Sequence, residues 1–269
     1  MLKLYHGATS VCSAKVRIGL AELGTTWSGQ ILDLGKSEQN ESWYLKLNPK
    51  GVVPTIVVDD FCLVESSVIL EYLEESDGRG LLTPQDIQQR ARAKMYLYDC
   101  IEIHAAINTM TFSTSKRAQI LATQTAEEID ASIARMASPA NAVKRRDIFD
   151  NGVDSPYVVA AFFTLKLLLD RMQADLQSGP WVMGEKYCIA DASIIAYIDR
   201  LDRLGLAGLW KTRAPAIEAW LTASRTRPSY KTAIEDFAGP AKGDRDKNLA
   251  AGFWDTVEPR WQAFLAKHG

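Results

Sequence analysis

Two stretches carry side chains suited to handling a nucleophile and an anion. In Thr9-Ser10-Val11-Cys12 two hydroxyls and a thiol share one turn. Apolar positions then recur at Val16, Leu20 and Leu23, near the helical period, until Gly24 stops the run. The turn thus lies at a helix N-terminus, whose unpaired N–H groups and dipole favour negative charge. A thiol held there loses its proton more readily, through the dipole and through any hydroxyl that donates to it. Cys12 itself is therefore a candidate thiolate nucleophile, and the hydroxyls also serve as helix caps.

The second stretch, residues 48–74, reads as a turn, then Val53-Pro54, a strand pair at 55–58 and 62–64, and a helix opening at Glu65-Ser66. Pro54 heads the Thr-Ile-Val-Val strand, where it costs no ladder hydrogen bond. A Val-Pro bond at such a bend is a candidate cis peptide. In that isomer the N–H and C=O of Val53 would turn outward, free to pair with an extended peptide. The unpaired N–H groups opening the helix at Ser66 form an anion site. A strand-like edge beside a helix N-terminus suits a small acidic peptide.

The elements that must hold these stretches follow from pattern. Residues 2–5 form a short apolar strand, 26–34 a poorer one, 36–41 a polar loop and 43–47 a short helix. The β-α-β then β-β-α order is the thioredoxin-like pattern, closed by Asp77-Gly78-Arg79-Gly80. Beyond Pro84 the pattern is helical, with candidates at 85–115, 156–177, 190–204 and 214–225. Residues 113–151, polar and rich in Ala and Thr, read as one additional helix with loops. The expectation is an α/β thioredoxin-like domain over residues 1–80 and an all-α helical bundle over 85–269. The latter would carry an insertion near 113–155 and an extended tail at 239–269. In the tail, Phe253, Trp254, Trp261 and Phe264 would either cover a substrate cleft or pack on the helical domain's outer face; the second reading is preferred.

At 269 residues and a net charge of −2, the chain can bury sizeable cores but lacks the excess of positive charge that nucleic-acid and acidic-membrane binders need. The run Lys144-Arg145-Arg146 reads as a solvated loop. No apolar run nears the ~20 residues of a spanning helix, and the first seven residues lack the apolar core of a signal peptide. The cysteines at 12, 62, 100 and 188 are dispersed, without paired metal-ligand spacing. A cytoplasmic protein without metal, flavin or nucleotide is expected.

NPKGVVPT followed by ESSVILEYLEE, after an N-terminal TSVCSAKVRIGLAELG, resembles the thioredoxin-like domain of soluble glutathione transferases. The resemblance is close over residues 2–76 and looser over 85–237. It implies that glutathione is the co-substrate and that the chain dimerises, with an identical or a related subunit. It implies that Val53, ahead of Pro54, pairs with the cysteinyl backbone while Glu65 and Ser66 hold the γ-glutamyl end. Gln39 and Lys50 stand where the family places groups for the glycyl carboxylate. Ser10, two residues before Cys12 as in the zeta-like Ser-Ser-Cys motif, becomes the thiolate-stabilising hydroxyl; Thr9 is the theta-like alternative. Ser-Val-Cys-Ser also resembles the turn of bacterial tetrachlorohydroquinone reductive dehalogenases, whose cysteine forms a mixed disulfide with glutathione, so Cys12 is the rival.

In the family the first long helix borders the electrophile pocket, which points to Tyr98, His104, Asn108 and Phe112 for an apolar, aromatic-sized substrate. The 142–152 region and the long tail are similar to bacterial glutathione-dependent β-aryl etherases, which cleave lignin-derived aryl ethers. A non-catalytic glutathione- or protein-binding module is the reading from another class. Cys188-Ile189-Ala190-Asp191 stands where the family has a Ser/Thr-x-x-Asp capping box. With a thiol as the weaker acceptor, the expected surviving half is the bond from the Cys188 N–H to Asp191, a structural role.

Overall fold

The computed structural model describes residues 1–136, 138–239 and 253–269. Strands β1 (Leu2–His6), β2 (Ser28–Ile31), β3 (Thr55–Val58) and β4 (Phe61–Val64) form one sheet in the order β2-β1-β3-β4. β1 runs parallel to β2 and antiparallel to β3, which is antiparallel to β4. Parallel β1 and β2 require a crossover, supplied by α1 (Val11–Leu23). The short α2 (Ser42–Leu45) lies before β3, and α3 (Ser66–Asp77) follows β4. This is the thioredoxin-like arrangement.

Helix α1 is buried from Ser13 to Leu20 because it packs on α3. The close approach needs Gly19, where a Cβ would lie 2.3 Å from Leu70 Cδ1. Ser10 caps the helix start, its side chain accepting from the Ser13 N–H, and Gly24 closes the end in the left-handed conformation.

After residue 86 the described chain is helical, as expected. It comprises α4 (Ile87–Ser113), α5 (Ser115–Thr123), α6 (Ala126–Ala134), α7 (Pro139–Asn151), α8 (Pro156–Asp175), α9 (Ile189–Arg203) and α10 (Ala216–Arg225). Short helical turns over 228–238 and a C-terminal helix, Phe253–His268, complete it. The chain divides into two compact units. One holds Met1–Cys100, Ala174–Ile198 and, of the described residues, 218–239; the other holds Ile101–Gln173, Asp199–Ile217 and 253–269. The first is built on the sheet, α1 and α3. In the second, Phe162 meets Trp261 and Phe264 with ring centroids 5.2 and 5.9 Å apart, and Trp254 covers Gly208 so tightly that a Cβ there would strike its ring. The C-terminal aromatics therefore pack into the helical unit. Residues 240–252 of the tail lie outside the described residues.

Two expectations are corrected. Residues 113–151 form three helices rather than one with loops. Their apolar residues are few, and their boundaries come from caps: Thr125 and Glu128 make a reciprocal capping box, and Ser138 caps a helix with Pro139 in its first turn. Lys144-Arg145-Arg146 is consequently in α7 rather than in a solvated loop. There Arg146 pairs with Asp130 and Asp150, Lys144 donates to the Ala105 carbonyl, and Arg145 lies on Phe112.

Candidate functional site

Sheet register gathers the motifs. Tyr5 pairs with Thr55, and Thr55 with Val64. Hence three segments leave the sheet at the same end: the turn after His6 that carries Thr9 and Ser10, the Val53-Pro54 bend before β3, and Glu65-Ser66 after β4. Segments far apart along the chain converge because two antiparallel pairings share one register.

In the first segment Ser10 Oγ accepts the Ser13 N–H at 3.2 Å. Its hydroxyl hydrogen is left to donate outward, at the positive end of a 13-residue helix. Thr9 is exposed, Ser10 and Cys12 half-buried. Cys12, in the first turn, lies 3.6 Å from the Tyr197 hydroxyl on α9. Burial first, and the neighbouring Cys12 next, push the Tyr197 phenol well above its ordinary range. It is therefore a neutral group beside that sulfur.

In the second segment the Val53-Pro54 bond is cis, as expected. Among the described residues nothing hydrogen-bonds to the Val53 N–H or C=O. The bend is braced from behind. Tyr44 Oη donates to the Val52 carbonyl at 2.6 Å and contacts Thr55 Oγ1 at 2.9 Å, while Asn48 Nδ2 donates to the Val52 carbonyl at 2.8 Å. All three bracing side chains are buried. Burial lifts the Tyr44 phenol, so the brace is neutral. Buried main-chain polar groups are nearly always paired, so the unpaired N–H and C=O of Val53 are open to an incoming donor and acceptor.

In the third segment Glu65 adopts φ +70°, a left-handed conformation that non-glycine residues rarely take. Its side chain does not cap α3; its Oε1 instead receives Lys50 Nζ at 2.5 Å. The N–H groups opening α3 and the Ser66 hydroxyl thus have no side-chain partner among the described residues. Gln39 faces Gly51 across the turn, its carbonyl 3.4 Å from where a Cβ there would stand, and Gln39 Oε1 is buried without a protein partner. The sequence-selected Gln39, Lys50, Val53, Pro54, Glu65 and Ser66 therefore stand on linked segments: Lys50 and Glu65 pair with each other, while Gln39 Oε1, the Val53 N–H and C=O and the Ser66 hydroxyl have no partner among the described residues.

The residues selected on the first long helix divide. Tyr98, 63% exposed, belongs to the first unit; His104, Asn108 and Phe112, all half-buried, belong to the second. Asn108 and Phe112 are joined by Arg145, whose Nη2 donates to Asn108 Oδ1 at 3.4 Å and whose guanidinium carbon lies 3.1 Å from the Phe112 ring centroid.

Sequence reasoning missed Arg17. Only 2% exposed, it donates to the Gly7 and Ala8 carbonyls at 3.2 and 3.0 Å and to the Ala233 carbonyl at 2.8 Å. It thereby clamps the turn that presents Ser10. Tyr44, Asn48 and Tyr197 were missed as well. A signal existed for Arg17 alone, as a cation on a helix predicted to cross between two strands of one sheet. Among the described residues no cluster of three His, Cys, Asp or Glu side chains could hold a metal, and no single helix is long and apolar enough to cross a membrane.

Comparison with known proteins gives the family and the fold. Residues 1–75 match the family model "Glutathione S-transferase, N-terminal domain". A probable maleylacetoacetate isomerase of Caenorhabditis elegans is 30% identical over 203 residues, spanning 76% of this chain and 80% of that protein. The tetrachloro-p-hydroquinone reductive dehalogenase of Sphingobium chlorophenolicum is 27% identical over 239 residues, or 86% and 95%. Among solved structures, the β-etherase LigF of Sphingobium sp. strain SYK-6 superposes with a TM-score of 0.76 at 26% identity, covering 87% of this chain and all but 1% of that one, 99% being matched.

Proposed function

The chain belongs to the glutathione transferase family, with glutathione as its co-substrate, and from that premise we propose that it transfers glutathione to an electrophilic carbon of an apolar aromatic substrate. Residues 1–80 bind the peptide and residues 85–269 the electrophile. The observation that carries this reading is the convergence of Ser10, Val53 and Ser66 at one end of the sheet, each with hydrogen-bonding capacity that no protein group uses. Val53's N–H and C=O take the cysteinyl backbone. The α3 N-terminus with Ser66 takes the γ-glutamyl carboxylate, while Glu65 supports that end and Lys50 and Gln39 reach the glycyl end. The Ser10 hydroxyl donates to the thiol sulfur and, with the α1 dipole, lowers its pKa.

The resulting thiolate attacks carbon and displaces a leaving group, giving a thioether. The likeness to LigF favours an aryl ether as the bond broken and an aryloxide as the leaving group. The four cysteines are free, which suits a reducing cytoplasm. The enzyme works as a dimer.

A second reading rests on the contact between Cys12 and the Tyr197 hydroxyl and on the likeness to a reductive dehalogenase. In it the Cys12 thiolate attacks the sulfur of a glutathione–substrate thioether, forming a Cys12–glutathione mixed disulfide. The carbon–sulfur bond breaks in that step, and its electron pair stays on the carbon, which takes up a proton. A second glutathione then frees Cys12 by thiol–disulfide exchange, leaving as oxidised glutathione. One experiment separates the two. Purified wild type, Ser10→Ala and Cys12→Ala are assayed with glutathione and a β-aryl ether, and the thiol pKa of bound glutathione is followed by thiolate absorbance. A hydrogen bond to a charged group contributes ~1.5–3 kcal/mol, so Ser10→Ala should lower turnover roughly tenfold to a hundredfold and raise that pKa by about one to two pH units. Collapse with Cys12→Ala alone would move the chemistry to the cysteine. Retention on glutathione resin with no turnover of any electrophile would instead mark a binding module.

A further inference from the structure

Arg145 and Lys144 are two adjacent cations whose partners are all neutral. Among the described residues Arg145 reaches only the Asn108 amide oxygen and the Phe112 face; Lys144 reaches the Ala105 carbonyl at 3.3 Å and stands 5.8 Å from the Tyr157 ring centroid. Among the described residues neither makes an ion pair. The contrast lies within one helix. Arg146, the next residue, takes both Asp130 and Asp150, and Asp147 is bonded to Asn151. Burial depresses both groups, Arg145 to about 10, and the charge of Arg145 further depresses Lys144. Two like charges held close together and partly out of water, without a counter-charge, are unfavourable unless something negative joins them.

The shape of the arrangement says what that is. A guanidinium lying on an aromatic face keeps its N–H donors in its own plane, at the ring's edge. One of those donors is spent on Asn108, and the others remain for a planar, two-oxygen acceptor. Ala105, Asn108 and Phe112 occupy one face of α4, spaced three and four residues apart, and α7 lays Lys144 and Arg145 along it. Such a floor of ring and amide, edged by a fork of donors, matches an aryl carboxylate.

We propose that this α4–α7 face seats an anionic group of the second substrate, with Arg145 as its hydrogen-bond donor and Lys144 as a flanking charge, so that the aromatic electrophile is an acid. The identification with the second substrate rests on the transferase reading above; the anion site itself does not.

The test pairs two electrophiles, 4-chloro-3-nitrobenzoate and its methyl ester, each rate normalised to its uncatalysed reaction with glutathione. Benzoate binding without glutathione is measured in parallel by calorimetry, with wild type, Arg145→Gln and Lys144→Gln. Wild type should prefer the acid over the ester, and Arg145→Gln should cut that preference by about tenfold or more, with Lys144→Gln doing less. Benzoate affinity should fall in the same order. On the wild type, raising salt from about 50 to about 500 mM should weaken benzoate binding without moving the ester's KM, which keeps the test valid should Arg145→Gln misfold.

An acid preference that survives Arg145→Gln, or benzoate binding indifferent to salt and to both substitutions, would overturn the proposal. Turnover of both electrophiles without acid preference would remove it and leave the transferase reading intact. No turnover of either, with Arg145-dependent benzoate binding, would remove the transferase reading and leave the anion site standing.

Discussion

Arg17 and His6 pair a cation with a neutral imidazole in a dry place, 2% and 1% exposed, and among the described residues no carboxylate is paired with Arg17. Burial lowers Arg17 to about 9, so it is still charged at neutral pH. Every donor it spends goes to a neutral acceptor: three carbonyls and His6 Nδ1 at 3.1 Å, with Phe237 stacked 3.9 Å away. Since arginine only donates, Nδ1 of His6 must accept, and the imidazole proton sits on Nε2. Burial first, and the Arg17 charge second, hold His6 down at about 4. The pH dependence follows. Between about 4 and 6.5 the unfolded chain binds a proton at His6 and the folded chain does not, so stability falls as pH drops through that window. Above 6.5 the residue is neutral in both states and adds no slope. The gap from 6.5 to 4 corresponds to roughly 3 kcal/mol at most. His6→Gln keeps an acceptor for Arg17 and removes the titration. Urea unfolding at a series of pH values should therefore show wild type losing stability relative to His6→Gln from pH 6.5 downward; parallel curves would mean that His6 takes up its proton equally readily in the folded and the unfolded chain.

At the scale of elements, what fixes a helix here is how its first turn is satisfied. The start of α9 is buried, and its donors converge on Asp191: the Cys188 N–H at 3.0 Å, the Val182 N–H at 3.1 Å and Trp220 Nε1 at 2.7 Å. The expected bond from Cys188 back to Asp191 is thus present, and two further donors share the carboxylate. Desolvation raises the Asp191 carboxyl above its usual range, against the pull of those donors. Asp191→Ala leaves three donors without an acceptor and should cost on the order of 4 kcal/mol, with Asp191→Asn costing less; chemical denaturation reads both. A loss under 1 kcal/mol for the alanine variant would mean that water replaces the carboxylate. Long helices were legible in the sequence for a simple reason: α4, α8, α9 and α10 each bury a periodic apolar face. The 113–151 segment buries little, so periodicity was silent there, although Thr125-Ala126-Glu127-Glu128 and Ser138-Pro139 did spell out two helix starts. In the candidate site, Ser10, Val53 and Ser66 were legible because turn, proline and helix-opening signals are local. Tyr44 and Asn48 were not, and Arg17 was signalled only by its place on a crossover helix, since a charged or polar side chain reads as solvent-facing until tertiary contacts show otherwise.

At the scale of the whole molecule, the first unit carries apolar surface that a partner could cover. Ser67 Oγ donates to the Leu97 carbonyl and Lys94 pairs with Glu71, so α3 and the start of α4 lie side by side. The outer side of this pair shows Val68, Met95 and Tyr98, 47%, 50% and 63% exposed, and Phe61 on β4 stacks on Tyr72 nearby. Apolar groups clustered in this way on one face mark an association surface more often than scattered ones do. The dimer proposed above would place a second copy on this face, and a net charge of only −2 leaves little repulsion between copies. A two-fold interface would contain this patch from both copies, so one substitution enters twice. Val68→Glu would place two like charges in a desolvated patch. Wild type should sediment as a dimer of the 29.8 kDa chain and Val68→Glu as a monomer, with unchanged far-ultraviolet circular dichroism. A monomeric wild type would show that the patch is not covered by a second copy; a dimeric Val68→Glu would place the interface on another face.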